Sequence, residues 1–138
     1  MQFLVMRPEH PDYPRQVARL AAAFTATDAP TDEYTLMCQR LDDGTLSLYH
    51  VTGDSLDLSI VGEVIDDSYF VWAVAGKGFR TGVTELIKRV KGAGFKSVTC
   101  ATAKPGIRRM YRYFRDLKLT ETEQLNNGCL CTWHELEV

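Results

Sequence analysis

The sequence lacks any long hydrophobic run: none of its apolar stretches approaches the roughly 20 residues that a membrane-spanning helix needs. Residues 1–6 are apolar but have neither a basic start nor a small-residue cleavage site, so we expect a first β-strand there rather than a signal peptide. The 138 residues also contain no internal repeat, low-complexity tract or linker. We therefore expect one domain over residues 1–138, with no membrane partner, in the cytoplasm.

Cysteine is scarce, and the spacing that zinc favours is missing. The four cysteines are Cys38, Cys100, Cys129 and Cys131, and no two of them form a Cys-x-x-Cys pair. Because a chain without a signal peptide keeps its thiols reduced, we expect structural thiols and no metal site. A metal or redox role for Cys129 and Cys131, which share one face of a strand, is the alternative.

Positive charge is absent from the last segment of the chain and sparse in the first half. Residues 119–138 contain four acidic residues and no Lys or Arg, and residues 1–75 contain twelve acidic and four basic residues. Residues 76–118 hold the other twelve Lys and Arg with only two acidic residues, so the net charge of −2 hides a basic block. Such a block indicates either a surface that faces an anion or solvated helix faces that pair with the acidic parts.

Hydrophobic periodicity predicts the order of the elements. In residues 14–25, for example, Val17, Leu20, Ala21 and Phe24 recur at helical spacing. The order is β-α-α-β-β-β-α-β-α-β-β, which predicts an α+β fold with helices on both faces of a mixed sheet. The predicted elements are a strand at 2–6, helices at 14–25 and 31–41, strands at 45–51, 56–65 and 69–74, a helix at 80–91, a strand at 96–101, a helix at 105–116, and a hairpin of 119–124 and 129–136 that turns at Asn126-Asn127-Gly128 with φ > 0 at both residues of Asn-Gly.

A glycine-rich turn joins the apolar strand at 69–74 to the following helix. The turn residues Gly76-Lys77-Gly78 allow the backbone amides of the first helical turn, together with the positive end of the helix dipole, to converge on one spot. Lys77 and Arg80 add formal positive charge there, and Arg80 offers a planar fork to phosphate oxygens. The pattern therefore indicates a diphosphate site, and a tight turn with surface cations is the alternative.

The element order and several short segments resemble the GNAT N-acetyltransferase superfamily over essentially the whole chain. The pattern of Val71-Trp72, Gly76-Lys77 and Arg80 also resembles the small GNAT-like proteins, including internal virion proteins, of short-tailed phages. The segments similar to the superfamily are Met6-Arg7-Pro8 at the end of the first strand, Lys77 to Gly82 as the pyrophosphate loop, Gly94 to Val98 as a helix-to-strand junction, and Ile107 to Tyr111 in the last helix.

The resemblance implies that the chain binds CoA or acetyl-CoA. Arg80 stands where the superfamily usually has the first glycine of its loop, so a guanidinium would replace or crowd a backbone contact. The residues implied for the pantetheine arm are Val71, Trp72, Ala73 and Val74, and those implied for the pyrophosphate are Lys77, Gly78, Phe79, Arg80, Thr81 and Gly82.

The resemblance also implies two catalytic residues. Tyr111 matches the tyrosine that donates a proton to the CoA sulfur, a role that suits a phenol, whereas core packing on the apolar stripe of its helix is the alternative. Tyr113 takes the same role if the helix register shifts. Glu63 resembles a glutamate that acts as a base through water, and a solvated strand carboxylate is its alternative. His50 has a suitable reference pKa, or it covers a strand end.

Three functions remain open at this level. The first is an acetyl-CoA-dependent N-acetyltransferase that acts on a protein amine. The second is a catalytically degenerate GNAT-like structural or host-interaction protein of a phage, in a homodimer or within a virion. The third is nucleic-acid binding through the arginines of residues 108–115, which ranks last because the aromatic residues of that helix are expected to face inward.

Overall fold

The apolar alternation of the sequence produces a seven-stranded mixed sheet, as predicted. The computed structural model describes residues 1–27, 29–103, 108, 114 and 116–138. The strand order across the sheet is β1-β2-β3-β4-β5-β7-β6, and all neighbours are antiparallel except β4 and β5, which are parallel. The strands are β1 (Gln2–Met6), β2 (Ser47–Gly53), β3 (Leu56–Ile65), β4 (Ser68–Lys77), β5 (Ser97–Thr102), β6 (Lys118–Gln124) and β7 (Leu130–Glu137).

The described residues form three α-helices: α1 (Tyr13–Arg19), α2 (Pro30–Asp42) and α3 (Phe79–Gly92). The helix predicted over 14–25 is wrong in its second half, because residues Leu20–Phe24 form a 3-10 segment instead. That segment still buries Leu20 and Phe24, as the periodicity predicted, but leaves Ala21 exposed. None of the helices in the described ranges is long and apolar enough to cross a membrane.

Helices cover both faces of the sheet and bury two apolar clusters. On one side, called the α1/α2 face, Leu20 and Met37 pack against Leu48 of β2 and Val61 of β3. On the other side, called the α3 face, the apolar stripe of α3 packs against β3, β4 and β5. The residues of that second cluster are Val51, Leu56, Leu58, Ile60, Tyr69, Leu86, Val90 and Val98.

A β-bulge changes the side-chain pattern of β4. Val71 pairs with Gly62 and Ala73 pairs with Val61, so Trp72 is an extra residue without its own partner on β3. The bulge places two consecutive side chains, Trp72 and Ala73, on the α1/α2 face. Strand β4 also extends to Lys77, three residues beyond its predicted end.

The closing hairpin differs from its prediction in the turn. Leu125 donates a backbone hydrogen bond to Cys129, which encloses the three residues 126–128, and only Gly128 has a positive φ there. The loop therefore has three residues with a left-handed glycine at its end, not a two-residue Asn-Gly turn. The helix predicted over 105–116 lies outside the described residues, apart from Arg108, Phe114 and Asp116.

Candidate functional site

Strands β4 and β5 separate in the middle of the sheet. Their parallel pairing runs from Ser68 with Ser97 to Val71 with Cys100 and stops there. Strand β5 continues to pair with β7 as far as Thr102, and β4 continues to pair with β3 as far as Lys77. In the described part of the chain, residues 72–77 of β4 thus have a strand partner on only one side, and a wedge opens between two neighbouring parallel strands.

The wedge opens into a cavity of about 530 Å³ on the α1/α2 face. A smaller cavity of about 50 Å³ lies on the α3 face and shares Val71, Val74, Phe79 and Cys100 with the larger one, so the wedge reaches both sides of the sheet. The walls of the large cavity come from β4 (residues 70–76), β5 (Cys100 to Ala103), β7 (Cys131 and Trp133) and the helical side (Arg19, Ala22, Ala23, Phe24, Thr27, Glu33 and Leu36).

The N-terminus of α3 lies beside the end of β4. Gly78 precedes the helix with φ of +85°, and a Cβ there would lie 2.7 Å from Leu56 Cδ1 and 3.0 Å from Leu56 Cα. The first hydrogen bond of the helix runs from the N–H of Gly82 to the carbonyl oxygen of Gly78, at 2.9 Å. By helix geometry the first-turn N–H groups point out of the start of the helix, which follows directly on the end of β4, and such a helix start attracts anions.

The structure brings most of the sequence-predicted cofactor residues together. The residues Val71 to Val74, with Phe79, line the large cavity. Lys77 is the exposed last residue of β4, and Arg80 and Thr81 are exposed in the first turn of α3. Gly82 is buried, and a Cβ there would come within 2.6 Å of Leu58 Cδ2, so this glycine lets α3 lie close to β3. That these residues hold a cofactor stays a prediction.

Glu63 is bound on two sides in the α1/α2 layer. Its carboxylate forms an ion pair with the guanidinium of Arg40 on α2, and Trp72 Nε1 donates to its Oε1 at 3.2 Å. The Arg40 guanidinium also lies 5.2 Å from the centre of the Trp72 ring. The hydrogen bonds from Arg40 hold the pKa of Glu63 below its usual range. Glu63 thus orients Trp72, which lines the cavity, while its own role as a base stays a prediction.

Tyr111 and Tyr113 lie outside the described residues. Two neighbours of that segment are described: the ring of Phe114 lies 6.4 Å from that of Phe79, and Leu117 lines the small cavity with it. Arg108 donates to the carbonyl oxygen of Leu130 at 2.6 Å. It also donates to the carbonyl oxygen of Thr102 at 3.4 Å, so its guanidinium links the end of β5 to β7.

A second carboxylate and arginine pair lies at the other end of the α1/α2 face. Arg19 of α1 forms a 2.9 Å ion pair with Asp57 of β3 and donates to Ser59 Oγ at 2.8 Å. Asp57 also contacts His50 Nε2 at 2.8 Å, and this hydrogen bond is the main cause that lowers the pKa of Asp57. His50 is therefore held by a strand neighbour, away from the described lining of the cavity.

Glu33 is the cavity residue that sequence reasoning missed as a functional group. It lines the large cavity from the first turn of α2, and its Oε2 is buried with no hydrogen-bond partner among the described residues. In the sequence, an acidic residue at the start of a helix is explained by the helix dipole alone. Only the packing of α2 on the sheet shows that this carboxylate faces a cavity.

The four cysteines are free thiols, and Cys100 and Cys131 line the cavity. Burial is the main cause that raises the pKa of the Cys131 thiol. The described residues contain no group of three or more His, Cys, Asp or Glu side chains placed to hold a metal ion.

The fold is that of known N-acetyltransferases. The ribosomal-protein-S18-alanine N-acetyltransferase from Escherichia coli matches 99% of this chain and 94% of its own length, with a TM-score of 0.67 and 10% identity. AAC(6')-Ib in complex with ribostamycin and coenzyme A matches 99% of this chain and 92% of its own length, with a TM-score of 0.62 and 10% identity.

A third solved structure gives the same result. The aminoglycoside 6'-N-acetyltransferase from Enterococcus faecium matches 99% of this chain and 97% of its own length, with a TM-score of 0.55 and 10% identity. No protein-family model and no curated protein sequence matches the chain. The comparisons therefore establish a GNAT-like architecture for this sequence at very low identity, which confirms the predicted fold class.

Proposed function

We propose that this chain is an acetyl-CoA-dependent N-acetyltransferase. The observation that carries the proposal is the separation of the parallel strands β4 and β5 after Val71 and Cys100, which leaves an edge of β4 beside the cavity without a strand partner among the described residues. An extended arm with amide groups suits such an edge, because it can replace the missing strand. Two structural neighbours, the ribosomal-protein-S18-alanine N-acetyltransferase and AAC(6')-Ib in complex with coenzyme A, support the same assignment.

The residues at the two ends of the wedge fit the two ends of this cofactor. The start of α3, with Lys77 and Arg80 beside it, suits a diphosphate. The interior end, between Phe70 and Trp72 of β4 and Ala101 of β5, is lined by apolar side chains. When bound, acetyl-CoA supplies a thioester at which the C–S bond breaks as the new C–N bond forms, with the amine losing a proton and the thiolate gaining one. In this proposal a backbone N–H of β4 would polarise the thioester carbonyl.

Tyr111 and Glu63 keep their proposed catalytic roles. Tyr111 would protonate the departing thiolate, so Tyr111→Phe should lower kcat while the Kd for CoA stays the same. An unchanged kcat would make Tyr111 a core residue. Glu63 acts as a base only if Arg40 and Trp72 release one of its oxygens, since both donate to it.

A blocking substitution tests the cofactor site directly. Ala101 follows the last β4–β5 pair and lines the cavity, so Ala101→Trp should fill the wedge and abolish CoA binding. Ser47→Trp, at an exposed position of β2, is the matched control and should bind CoA normally. The measurement is isothermal titration with CoA and acetyl-CoA. Equal affinity in both variants, or no binding by the wild type at millimolar CoA, would refute the proposal.

The ion pair of Glu63 favours one second candidate, a GNAT-like protein that does not turn over. Arg40 forms an ion pair with Glu63, the carboxylate to which the resemblance assigns a catalytic role, and Arg80 stands where the superfamily usually has a loop glycine. Such a chain would retain the fold as a structural or host-interaction protein, as the resemblance to phage proteins implies. Release of free thiol from acetyl-CoA in the presence of amines separates the two, because this candidate releases none.

A further inference from the structure

Glu33 supplies the one carboxylate in the described lining of the cavity. Its Oε2 is buried and accepts no hydrogen bond from the described part of the chain. A buried carboxylate oxygen without a donor is costly, whereas a charged N–H donor from a ligand would satisfy it. The cavity therefore has a place for a cation that none of the described side chains fills.

The strands beside Glu33 make this end of the cavity acidic. Cys131 pairs with Glu123 and Trp133 pairs with Glu121 across β6 and β7, and directly paired residues point to the same face of a sheet. Because Cys131 and Trp133 line the cavity, the two glutamates lie on the face that the cavity occupies. After burial, the charges of Glu123 and Glu33 are the next causes that raise the pKa of Cys131, which places all three groups in one neighbourhood. The Arg108 cation lies in the same neighbourhood and acts in the opposite direction, but its guanidinium already donates to the carbonyl oxygen of Leu130.

The other side chains at this end are apolar or already bonded. Phe24, Leu36 and Trp133 supply hydrocarbon walls, and the Thr27 hydroxyl donates to the carbonyl oxygen of Phe24 at 2.8 Å. The tip of the β6–β7 hairpin is tied to this region, since Asn127 Nδ2 donates to the carbonyl oxygen of Thr27 at 3.2 Å. A ligand rich in hydroxyl or amide groups would leave them unpaired here, while an apolar stem would not.

We infer that the acceptor is a primary ammonium group on an apolar stem, and that Glu33 is the residue that receives its N–H groups. This inference rests on the proposed function and narrows its substrate class. A lysine side chain and a small alkyl or arylalkyl amine share this chemistry, since both present one cation at the end of a hydrocarbon chain. An aminoglycoside or a peptide N-terminus carries further polar groups that the described walls do not match.

The test compares Glu33→Gln with Asp32→Asn, a matched loss of charge at the exposed neighbouring residue of α2. Binding is measured by calorimetry on the CoA-saturated protein with four ligands: 2-phenylethylamine, Nα-acetyl-lysine amide, an alanine-initiated peptide and kanamycin. Turnover is measured as the release of thiol from acetyl-CoA. We expect the first two amines to bind, and Glu33→Gln to raise their Kd and KM about tenfold or more with kcat and CoA affinity retained. Asp32→Asn should match the wild type. The tighter binding of one of the first two amines shows whether the acceptor is a small amine or a lysine side chain.

The outcomes separate this inference from the proposed function. Failure of the wild type to bind CoA overturns the proposed function. Three other results, each with normal CoA binding, overturn only the role of Glu33 and the acceptor class. They are no affinity for either apolar amine, an equal Kd for these amines in Glu33→Gln and the wild type, and tighter binding of kanamycin or the peptide.

Discussion

At the scale of single residues, two ion pairs join the first two helices to β3. Arg40 reaches Glu63 from α2, and Arg19 reaches Asp57 from α1. Asp57, Glu63 and the buried Val61 between them lie on alternate positions of β3 and therefore on one face. The pairs therefore tie α1 and α2 to different positions along the α1/α2 face of β3.

The pKa of Glu63 gives a prediction about acid stability. Because Arg40 lowers this pKa in the folded chain, the ion pair stabilises the fold fully above the unfolded pKa, about 4.3, and this contribution is lost as the pH falls through the folded value. We expect Glu63→Gln to lower the free energy of unfolding by about 1–2 kcal/mol at pH 7, with the difference from wild type shrinking below pH 4. Urea unfolding between pH 3 and 8 measures it.

The matched control for that change is Glu85→Gln. Glu85 pairs with Arg89 one turn away on the exposed side of α3, an arrangement worth about 0.3–0.5 kcal/mol. If both variants lose the same free energy, or if the loss at Glu63 grows toward low pH, the ion pair does not stabilise the fold as described.

For Tyr69 we predict a substitution that raises the free energy of unfolding rather than lowering it. Its hydroxyl is buried against Gly62 without a hydrogen-bond partner among the described residues, and this burial raises its pKa. Removing a buried hydroxyl that makes no bond is neutral or favourable, so Tyr69→Phe should raise the free energy of unfolding by about 0–1 kcal/mol. Tyr13→Phe is the control, because Tyr13 donates to Asp42 at 3.2 Å and its loss should cost about 0.5–1.5 kcal/mol. Thermal unfolding decides, and a marked loss at Tyr69 would contradict the account.

At the scale of elements, local patterns predicted the order well and the junctions less well. Strand β3 was predicted over 56–65 and found there, because alternation of Leu56, Leu58 and Ile60 gives a strand one buried face. The β4 bulge at Trp72 and the wedge beyond Val71 depend on pairing between distant strands, which no local pattern encodes. The same holds for the site: the cavity lining by 71–74 was anticipated, whereas the Glu63–Arg40 pair and the exposure of Glu33 to the cavity arise only when α2 packs on the sheet.

The prediction for the start of α3 compares the two glycines that flank this helix. Gly78 before the helix and Gly94 after it have φ of +85° and +89°, so alanine suffers the same backbone strain at either site. A Cβ at Gly94 meets nothing within 4 Å, whereas one at Gly78 meets the backbone of Leu56 at 3.0 Å. We expect Gly94→Ala to cost about 1 kcal/mol and Gly78→Ala to cost about 1–3 kcal/mol more, since the helix start must shift.

The shift should also weaken cofactor binding in Gly78→Ala alone. Chemical denaturation gives the free energies, and isothermal titration with CoA gives the Kd of each variant. Equal losses of stability would mean that strain rather than packing sets the helix start, and an unchanged Kd in a destabilised Gly78→Ala would separate the helix start from the diphosphate site.

Charge is divided between the two ends of the site at the scale of the whole molecule. The end of the cavity at the start of α3 carries Lys77 and Arg80, with further cations along α3, while the other end carries Glu33, Glu121 and Glu123 with Arg108 near Cys131. The basic block of residues 76–118 thus includes the element that we propose to meet an anion, and two residues of the acidic segment 119–138, Cys131 and Trp133, line the cavity. A field with this polarity draws a polyanion to one end and a cation to the other.

The division predicts how salt acts on CoA binding. Exposed cations are screened as the Debye length falls from roughly 10 Å at 0.1 M to about 3 Å at 1 M salt, so the Kd for CoA should rise with added NaCl. In a Lys77→Ala and Arg80→Ala double variant the Kd at low salt should be roughly tenfold higher and its dependence on salt weaker, because two of the contributing charges are gone. Lys96→Ala is the matched control, since Lys96 pairs with Asp67 at the start of β4, away from α3's first turn. A Kd that is equally sensitive to salt in all three proteins would show that CoA meets a different surface, and the basic block would then be a set of solvated helix faces.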